Sequence, residues 1–455
     1  MANPTVIIVG AGPAGVRAAE TLVAAGLRPI VVDEGQRWGG QIYRQQPSNF
    51  VRTAKTLYHS EAEKASRIHE TFQRSLSQLD YRPESLVWAL ANGTAHVLTG
   101  KSTSAIPYDA LLIATGATDR IFPVPGWTKP GVSTLGAAQI SLKSQACAIG
   151  TQPVFFGTGP LLYLVAWQYL KAGVVPRAVL DTSNWRDNLE GVVGMLSRPH
   201  LVAHGLKYIR ELKAARTQVL KGIIPIALTG NDRVDGFIFE HRGRRQAISC
   251  DAAAFGYHLR AETQLADLAK VPFSYDHSLR QYLPECTRQG RTQVRGIYLA
   301  GDGVWLAGAD AAEASGRAAA FAILEDLSGA APSPAASESM HSLQAALRFR
   351  DGVAKAFRWP GNRFAKGLPD DTVVCRCEEI TAGDIRRSVT HLGSREINRT
   401  KALTRPGMGR CQGRYCGLAT AEILADALAL SASEVGRLRS QPPVKPLPAD
   451  IEMKP

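Results

Sequence analysis

The sequence lacks any long hydrophobic run. No apolar stretch among its 455 residues approaches the length of about eighteen that a membrane-spanning helix needs. A cleaved signal peptide is not expected, because the first predicted strand begins at Thr5 and cleavage would destroy the motif that follows it. We therefore expect a cytoplasmic protein without a membrane span.

Pairs of the C-x-x-C type are also absent, which excludes a redox-active dithiol of the disulfide-reductase kind. Charge of one sign is not concentrated enough to indicate nucleic acid: the net charge is +13, but the basic residues are spread along the chain and denser only in the C-terminal third. Three of the seven cysteines, Cys147, Cys250 and Cys286, are isolated and predicted to be plain thiols.

A glycine-rich motif directly follows the first predicted strand. The apolar run from Thr5 to Val9 leads into G-x-G-x-x-G spacing, and residues 16–25 then read as a helix. In such a motif the glycines allow a tight turn, a close approach of pyrophosphate and close packing of the helix. The next strand, 29–33, ends in an acidic pair suited to a ribose. The predicted dinucleotide-binding residues here are Gly10, Gly12, Pro13, Ala14, Gly15, Asp33 and Glu34.

Three later stretches are typical of the same kind of site. A Gly-Gly turn beyond the acidic pair lets backbone run against a flat cofactor ring. A buried strand ends in Ala-Thr-Gly, and another ends in Gly-Asp before a helix over 309–327, whose N-terminus can offset charge on a reduced flavin. The candidate residues are Gly39, Gly40, Gln41, Ala114, Thr115, Gly116, Gly301, Asp302 and Ala309.

A second nucleotide-type motif begins at Pro153 and is incomplete. It has a strand and the first two glycines, Gly157 and Gly159, but Leu162 stands where the third glycine is expected. A leucine there should push the helix off the strand and weaken the phosphate seat. The following strand, 178–181, still ends in an acid. We therefore expect a nicotinamide-type domain whose pocket is degenerate.

Four cysteines near the C-terminus form a candidate metal site. The pairs C-x-C and C-x₄-C supply Cys375, Cys377, Cys411 and Cys416, four soft ligands that suit a [2Fe–2S] cluster or a structural Zn²⁺. The one-residue spacing of the first pair weighs against zinc. The neighbouring arginines can compensate an anionic cluster, namely Arg376, Arg405, Arg410 and Arg414. The sequence favours the cluster and leaves zinc as the alternative.

Together these motifs resemble known flavoproteins. Gly10–Gly15, Glu34, Gly39–Gln41, Ala114–Gly116 and Gly301–Asp302 resemble the two-dinucleotide-domain pyridine-nucleotide oxidoreductases. The cysteine spacing resembles the [2Fe–2S] domain of bacterioferritin-associated ferredoxin. The combination is similar to opine oxidase A subunits, the B subunit of hydrogen cyanide synthase and amino-acid dehydrogenase alpha subunits. Leu162 and the missing dithiol depart from the broader superfamily.

The resemblance implies a subunit that binds FAD and a [2Fe–2S] cluster in an oxidoreductase complex acting on CH–NH groups. A partner, an FAD-dependent amino-acid-oxidase-like beta subunit, would oxidise the C–N bond, and this chain would carry electrons towards a quinone or dye. The resemblance leaves open an FMN at a subunit interface, and also a small third subunit. Two alternatives remain: a stand-alone NAD(P)H-dependent reductase, and a non-catalytic scaffold or sensor with a structural metal.

The expected fold is α/β, with two Rossmann-like domains and a small helical C-terminal domain. We predict an FAD-binding domain over 1–124 and 265–328, and an inserted NAD(P)-like domain over 125–264. A linker with helices would follow over 329–370, with linker-like composition over 328–339, then the [2Fe–2S] domain over 371–430 and a tail over 431–455.

Overall fold

The computed structural model describes residues 4–329 and 334–451, and its helices and strands are as follows. The N-terminal part contains β1 (Val6–Val9), α1 (Pro13–Ala24), β2 (Ile30–Val32), α2 (Ala54–Tyr58), α3 (Ala62–Ser75), β3 (Asp80–Arg82), β4 (Ser85–Ala91), β5 (Thr94–Thr99), β6 (Ser102–Pro107), β7 (Ala110–Ile113) and β8 (Ala117–Asp119). The middle part contains β9 (Val132–Thr134), α4 (Leu135–Ser144), β10 (Pro153–Thr158), α5 (Pro160–Lys171), β11 (Ala178–Asp181), α6 (Trp185–Met195), α7 (Pro199–Ala214), β12 (Gln218–Lys221), β13 (Ile223–Thr229), β14 (Gly236–His241), β15 (Arg244–Ser249), β16 (Ala252–Tyr257) and β17 (Leu259–Ala261).

The chain then returns to the first sheet and ends in short helices. The returning part contains α8 (Gln264–Leu268), β18 (Phe273–Asp276), β19 (Gln281–Pro284), β20 (Ile297–Leu299) and α9 (Ala309–Ser328). The C-terminal part contains α10 (Pro334–Ala356), α11 (Gly361–Gly367), β21 (Val373–Cys375), β22 (Ile380–Thr381), α12 (Ala382–Thr390), α13 (Ile397–Thr404) and α14 (Gly417–Leu428). Among the described residues, none of these helices has the length and apolar character needed to cross a membrane.

Two parallel five-stranded sheets organise the molecule. The first has the order β20–β7–β1–β2–β3 and the second has the order β12–β11–β10–β16–β9. All four residues of β1 are buried, as expected for a central parallel strand covered on both faces. Because β20 follows the second sheet in the chain, the second sheet is inserted into the first. The predicted α/β fold class is confirmed.

Short antiparallel pairing joins the two sheets. Strand β17 pairs with β8 in the register Leu259 with Asp119 and Ala261 with Ala117. These two strands carry the chain out of the first sheet and back again. Residue 262, directly after β17, therefore returns to the edge of the first sheet.

The expected linker is shorter than predicted. Helix α9 continues to Ser328 and α10 begins at Pro334, so residues 334–339 are helical, while residues 330–333 lie outside the described ranges. Proline suits the first turn of a helix and alanine is the strongest helix former. Ala336, Leu343 and Ala346 are buried where α10 packs against α9 and α6, and this packing outweighs the linker-like composition.

The C-terminal segment predicted as a tail is packed against the N-terminal part. The Val444 amide donates to the carbonyl oxygen of Trp88 at 3.0 Å, and the Val444 side chain is buried. Lys445 pairs with Glu34, and Lys101 pairs with Asp450 at 2.5 Å. Residues 452–455 lie outside the described part of the chain.

Candidate cofactor sites

The predicted dinucleotide-binding residues meet at one edge of the first sheet. They follow the carboxyl ends of β1, β2, β7 and β20, which are parallel, so their loops lie side by side. We call the loops 10–15, 33–41, 114–116 and 301–303 the first-sheet edge. This is the position at which open parallel sheets bind nucleotides.

Close backbone contacts hold this edge together. A Cβ at Gly15 would overlap the carbonyl oxygen of Gly10, so the start of α1 packs directly on the turn that precedes it. A Cβ at Gly12 would lie 3.7 Å from the Cα of Gly40, which places the two glycine loops face to face. Gly12 caps α1 without a side-chain hydrogen bond. The first-turn N–H groups of α1 are therefore suited to a phosphate group.

The two acids after β2 have different environments. The Asp33 carboxylate accepts hydrogen bonds from the amides of Ala11 at 2.5 Å and Gly35 at 2.6 Å. Burial raises its pKa, against the opposing effect of these bonds. Glu34 is more exposed and pairs with Lys445. Sequence reasoning treated the acids as one pair, whereas the structure uses Asp33 to brace the glycine loop.

The remaining residues of the edge are placed as follows. The Gln41 side chain is exposed and accepts a hydrogen bond from Arg44 at 2.8 Å. Asp302 Oδ1 accepts from the amides of Ala307 and Gly308 at 2.9 and 3.1 Å, just before Ala309 begins α9. Burial raises the pKa of Asp302. Both bonds converge on one oxygen, so Asp302 ties the β20 turn to the start of α9.

The Thr115 side chain is bonded to the residue that directly follows β17. Its hydroxyl donates to the carbonyl oxygen of Glu262 at 2.7 Å, and the Glu262 amide donates to the carbonyl oxygen of Gly116 at 2.9 Å. The predicted Ala-Thr-Gly turn is thus bonded to the end of β17. Sequence reasoning did not find Glu262, because no motif surrounds it.

The acid of the second nucleotide-type motif is buried and already hydrogen-bonded within the chain. Asp181 accepts hydrogen bonds from the Tyr163 hydroxyl at 2.6 Å, the Thr158 hydroxyl at 2.8 Å and the Ser183 amide at 2.8 Å. Burial raises its pKa despite these bonds. A ribose could bind Asp181 only by displacing the hydrogen-bond donors that this chain itself supplies.

Other parts of the chain lie against this motif. Leu162 is fully buried in the core between α5 and α4, whereas a side chain at the corresponding Gly15 would overlap its own loop, so the two helix starts are packed differently. His258 lies beside Gly159 and bonds to the carbonyl oxygen of Phe357, directly after α10. The Phe357 ring also contacts Tyr163. These contacts lie at the motif whose pocket is predicted to be degenerate, which stays a prediction.

The four C-terminal cysteines line one cavity of about 370 Å³. The Cys416 thiol interacts with those of Cys375 and Cys411, and the Cys411 thiol with that of Cys377. Hydrogen bonding with the Cys416 thiol lowers the pKa of Cys375 to about 6 and that of Cys411 to about 5. The pKa of Cys416 is raised correspondingly. Across residues 4–329 and 334–451, no group of three or more Cys, His, Asp or Glu side chains is arranged so that it could hold a single metal ion.

The donor set and the space fit a [2Fe–2S] cluster. Four thiols from two loops surround the cavity, as a cluster that takes two sulfur ligands on each iron requires. Arg376, Arg410, Arg414 and Lys445 also line it and supply positive charge. Arg405, also predicted to compensate the cluster, pairs with Glu378 at 2.8 Å. Lys445 was missed because it lies 29 residues beyond Cys416 in the sequence.

Arg414 is held by a bidentate ion pair. Its Nε and Nη2 donate to the two carboxylate oxygens of Glu262 at 2.7 and 3.1 Å, and its Nη1 donates to the carbonyl oxygens of Cys411 at 3.3 Å and Val444 at 2.9 Å. The Cys411–Cys416 segment, called the cysteine loop below, is therefore bonded to Glu262, which also binds Thr115.

The fold and the cysteine site define an oxidoreductase with a flavoprotein fold and an iron–sulfur domain. The family model "Pyridine nucleotide-disulphide oxidoreductase" matches residues 4–318, and the "BFD-like [2Fe-2S] binding domain" model matches residues 373–426. The chain belongs to the pyridine nucleotide-disulphide oxidoreductase family. The family fold implies FAD, and the C-terminal domain implies a [2Fe–2S] cluster rather than zinc.

Among the curated relatives, the opine oxidase A subunit of Rhizobium meliloti is 38% identical over 97% of this chain and 86% of its own length. Hydrogen cyanide synthase subunit HcnB of Pseudomonas aeruginosa is 31% identical over 97% of each chain. The crystal structure of L-proline dehydrogenase from P. horikoshii has a TM-score of 0.71 at 19% identity, covering 99% of this chain and 79% of that one, which supports the fold. The expected resemblance is confirmed, and this chain is an oxidoreductase subunit.

Proposed function

We propose that this chain is the FAD- and [2Fe–2S]-containing alpha subunit of a cytoplasmic opine, or related amino- or imino-acid, dehydrogenase complex. A partner flavoprotein subunit resembling amino-acid oxidases would oxidise the C–N bond, and this chain would pass the electrons to a quinone or dye. The observation that carries the proposal is that Glu262 is hydrogen-bonded both to the first-sheet edge, at Thr115, and to the cysteine loop, at Arg414.

The chain's own residues have defined tasks in this proposal. Gly12, Gly15 and the start of α1 bind the pyrophosphate, Glu34 takes the ribose and Asp302 the ribityl chain. The Gly39–Gly40 turn and the N-terminus of α9 at Ala309 lie along the ring system. Cys375, Cys377, Cys411 and Cys416 hold the cluster. A flavin supplies two-electron chemistry and single-electron release, whereas a [2Fe–2S] centre takes one electron at a time.

The second candidate function, a stand-alone NAD(P)H-dependent reductase, is favoured by the presence of the second parallel sheet. The contacts of that sheet's nucleotide motif oppose it. Asp181 is occupied by Tyr163 and Thr158, and Phe357 packs on Tyr163 beside the loop. We therefore rank this function below that of an electron-transferring subunit.

The test is dye-linked oxidation of octopine and nopaline by the chain alone and by the chain co-expressed with its oxidase-like partner. We expect activity only with both chains, and expect it to fall sharply with Cys411→Ser in this chain. Cys286→Ser is the matched control, because that cysteine lies outside the cavity. Robust dye reduction by this chain alone would contradict the proposal.

A further inference from the structure

The short segment 260–264 lies between the two proposed cofactor sites. Alternate residues of this segment contact the cysteine loop: Arg260 reaches the carbonyl oxygen of Arg414 at 3.4 Å, and Gln264 Nε2 donates to that of Gln412 at 2.7 Å. Between them, Glu262 binds the Arg414 side chain. Arg260 lies in β17, Glu262 directly follows that strand, and Gln264 is the first residue of α8, so the junction of these two elements faces the cysteine loop.

The backbone of the same segment is bonded to the first-sheet edge. Thr115 and Gly116 exchange hydrogen bonds with Glu262 at 2.7 and 2.9 Å. A Cβ at Gly303, in the turn after β20, would lie 3.4 Å from both the Thr115 hydroxyl and the Glu262 carbonyl oxygen. Glu262 thus touches two of the predicted flavin-site turns through its backbone and the cysteine loop through its side chain.

The Glu262–Arg414 pair is well shielded from water. The two side chains are only 13% and 10% exposed, respectively. Burial alone would raise the pKa of Glu262, but the charges of Arg414 and Arg260 and the bonds from Arg414 hold it below its usual range. A charged fork of this kind fixes distance and orientation more strongly than a single neutral hydrogen bond.

We propose that Glu262 and Arg414 are positioning residues that set the coupling between the flavin and the cluster. The pair holds the cysteine loop at a fixed distance from the Ala114–Gly116 turn and provides a hydrogen-bonded route between them. One electron leaves the reduced flavin and one arrives at the oxidised cluster, so the pair itself is neither oxidised nor reduced. The inference rests on the proposed function, because it requires both cofactors.

A second ion pair provides a control that distinguishes positioning of the cysteine loop from simple docking of the C-terminal domain. Arg437 donates to Asp267 at 2.7 Å, and the Ser440 amide donates to the other oxygen of Asp267 at 2.5 Å. This pair also joins the C-terminal part to the rest of the chain, but none of its residues lies in the cysteine loop or the first-sheet edge. Asp267→Asn is therefore the matched control.

The experiment compares wild type, Glu262→Gln and Asp267→Asn in the full chain loaded with both cofactors. We expect wild-type FAD and iron contents in Glu262→Gln, but at least tenfold faster amide exchange over residues 409–417, an altered EPR spectrum of the reduced cluster, and at least tenfold slower reduction of the cluster after photoreduction of the flavin. Asp267→Asn should leave these three measurements within about twofold of wild type.

If Glu262→Gln does not fold, Glu262→Asp replaces it, since the aspartate keeps the charge but its side chain is one methylene too short to reach the Arg414 guanidinium from the same backbone position. The same changes in exchange, spectrum and rate would support the inference. Unchanged exchange, spectrum and rate in the folded variant, or equal effects of Asp267→Asn, would overturn it. A wild-type chain that binds no FAD or no iron would refute the proposed function instead, so the two failures are distinguishable.

Discussion

Substitution of Gly12 separates binding of FAD from folding. The Gly12 backbone is extended, with φ of −76° and ψ of −175°, a conformation that any residue adopts. A Cβ there would lie 3.7 Å from the Cα of Gly40, which is ordinary van der Waals contact. We therefore expect Gly12→Ala to change the free energy of unfolding by less than about 1 kcal/mol.

The same methyl group would lie between the glycine loops, where we propose that the pyrophosphate binds. Losing one charge-assisted hydrogen bond from the start of α1 costs about 1.5–3 kcal/mol, which is roughly a ten- to hundredfold loss of FAD affinity. Gly12→Val adds two further methyl groups and should weaken binding more. The measurements are FAD titration into the apoprotein and the flavin-to-protein absorbance ratio after gel filtration.

Gly15→Ala is the comparison, because its Cβ would overlap the carbonyl oxygen of Gly10 even without a ligand. It should lower the free energy of unfolding by about 1–3 kcal/mol, measured in urea. If Gly12→Ala and Gly12→Val both fold and bind FAD with wild-type affinity, the pyrophosphate does not lie against Gly12 and the assignment is wrong.

Three further predictions follow from the other sites. Cys411→Ser should lose the visible spectrum and iron of the cluster while Cys286→Ser retains both; zinc without iron in anaerobically purified wild type would contradict this. Micromolar NADH or NADPH should not rapidly reduce the flavin, because Asp181 is occupied by Tyr163; fast reduction in stopped flow would refute it. Burial lowers the pKa of His258 from 6.5 to about 4. Between these two pH values the unfolded chain binds a proton that the folded chain does not. The free energy of unfolding should therefore be highest above about pH 6.5 and should fall towards pH 4 by up to ~3 kcal/mol. Urea unfolding at several pH values checks this, and an equally steep decline in His258→Gln would show that another group is responsible.

The parts of the fold predicted from the sequence are those specified by local patterns. The apolar strand Val6–Val9, the glycines after it and the closely spaced cysteine pairs are each read from a few neighbouring residues. The motifs that indicate FAD, the [2Fe–2S] cluster and the α/β class are local, which is why these predictions could be made from the sequence. All three are confirmed. The roles of single residues at these sites remain predictions, which the substitutions above test.

The contacts that sequence reasoning missed are formed between distant residues. Glu262 and Arg414 are 152 positions apart, and neither stands in a motif that points to the other. Glu34 is paired with Lys445, which is more than 400 residues away, whereas Asp33 is bonded to nearby amides of the glycine loop and its own turn. Composition also failed for residues 334–339, because α10 is stabilised by packing on α6 and α9 rather than by its own sequence alone.

The segment from His258 to Gln264 connects the second nucleotide motif with the cysteine loop. His258 bonds to Phe357 beside that motif, whereas Arg260, Glu262 and Gln264 contact the cysteine loop. All four side chains therefore contact the C-terminal part from one short segment of the chain. The contacts beside the second nucleotide motif and those of the cysteine loop are therefore made by the same segment. In the proposed function, a flavin bound at the first-sheet edge would be close to the cluster, and the segment that joins the two sites would also cover the second nucleotide motif, as an electron-transferring subunit without NAD(P)H chemistry requires.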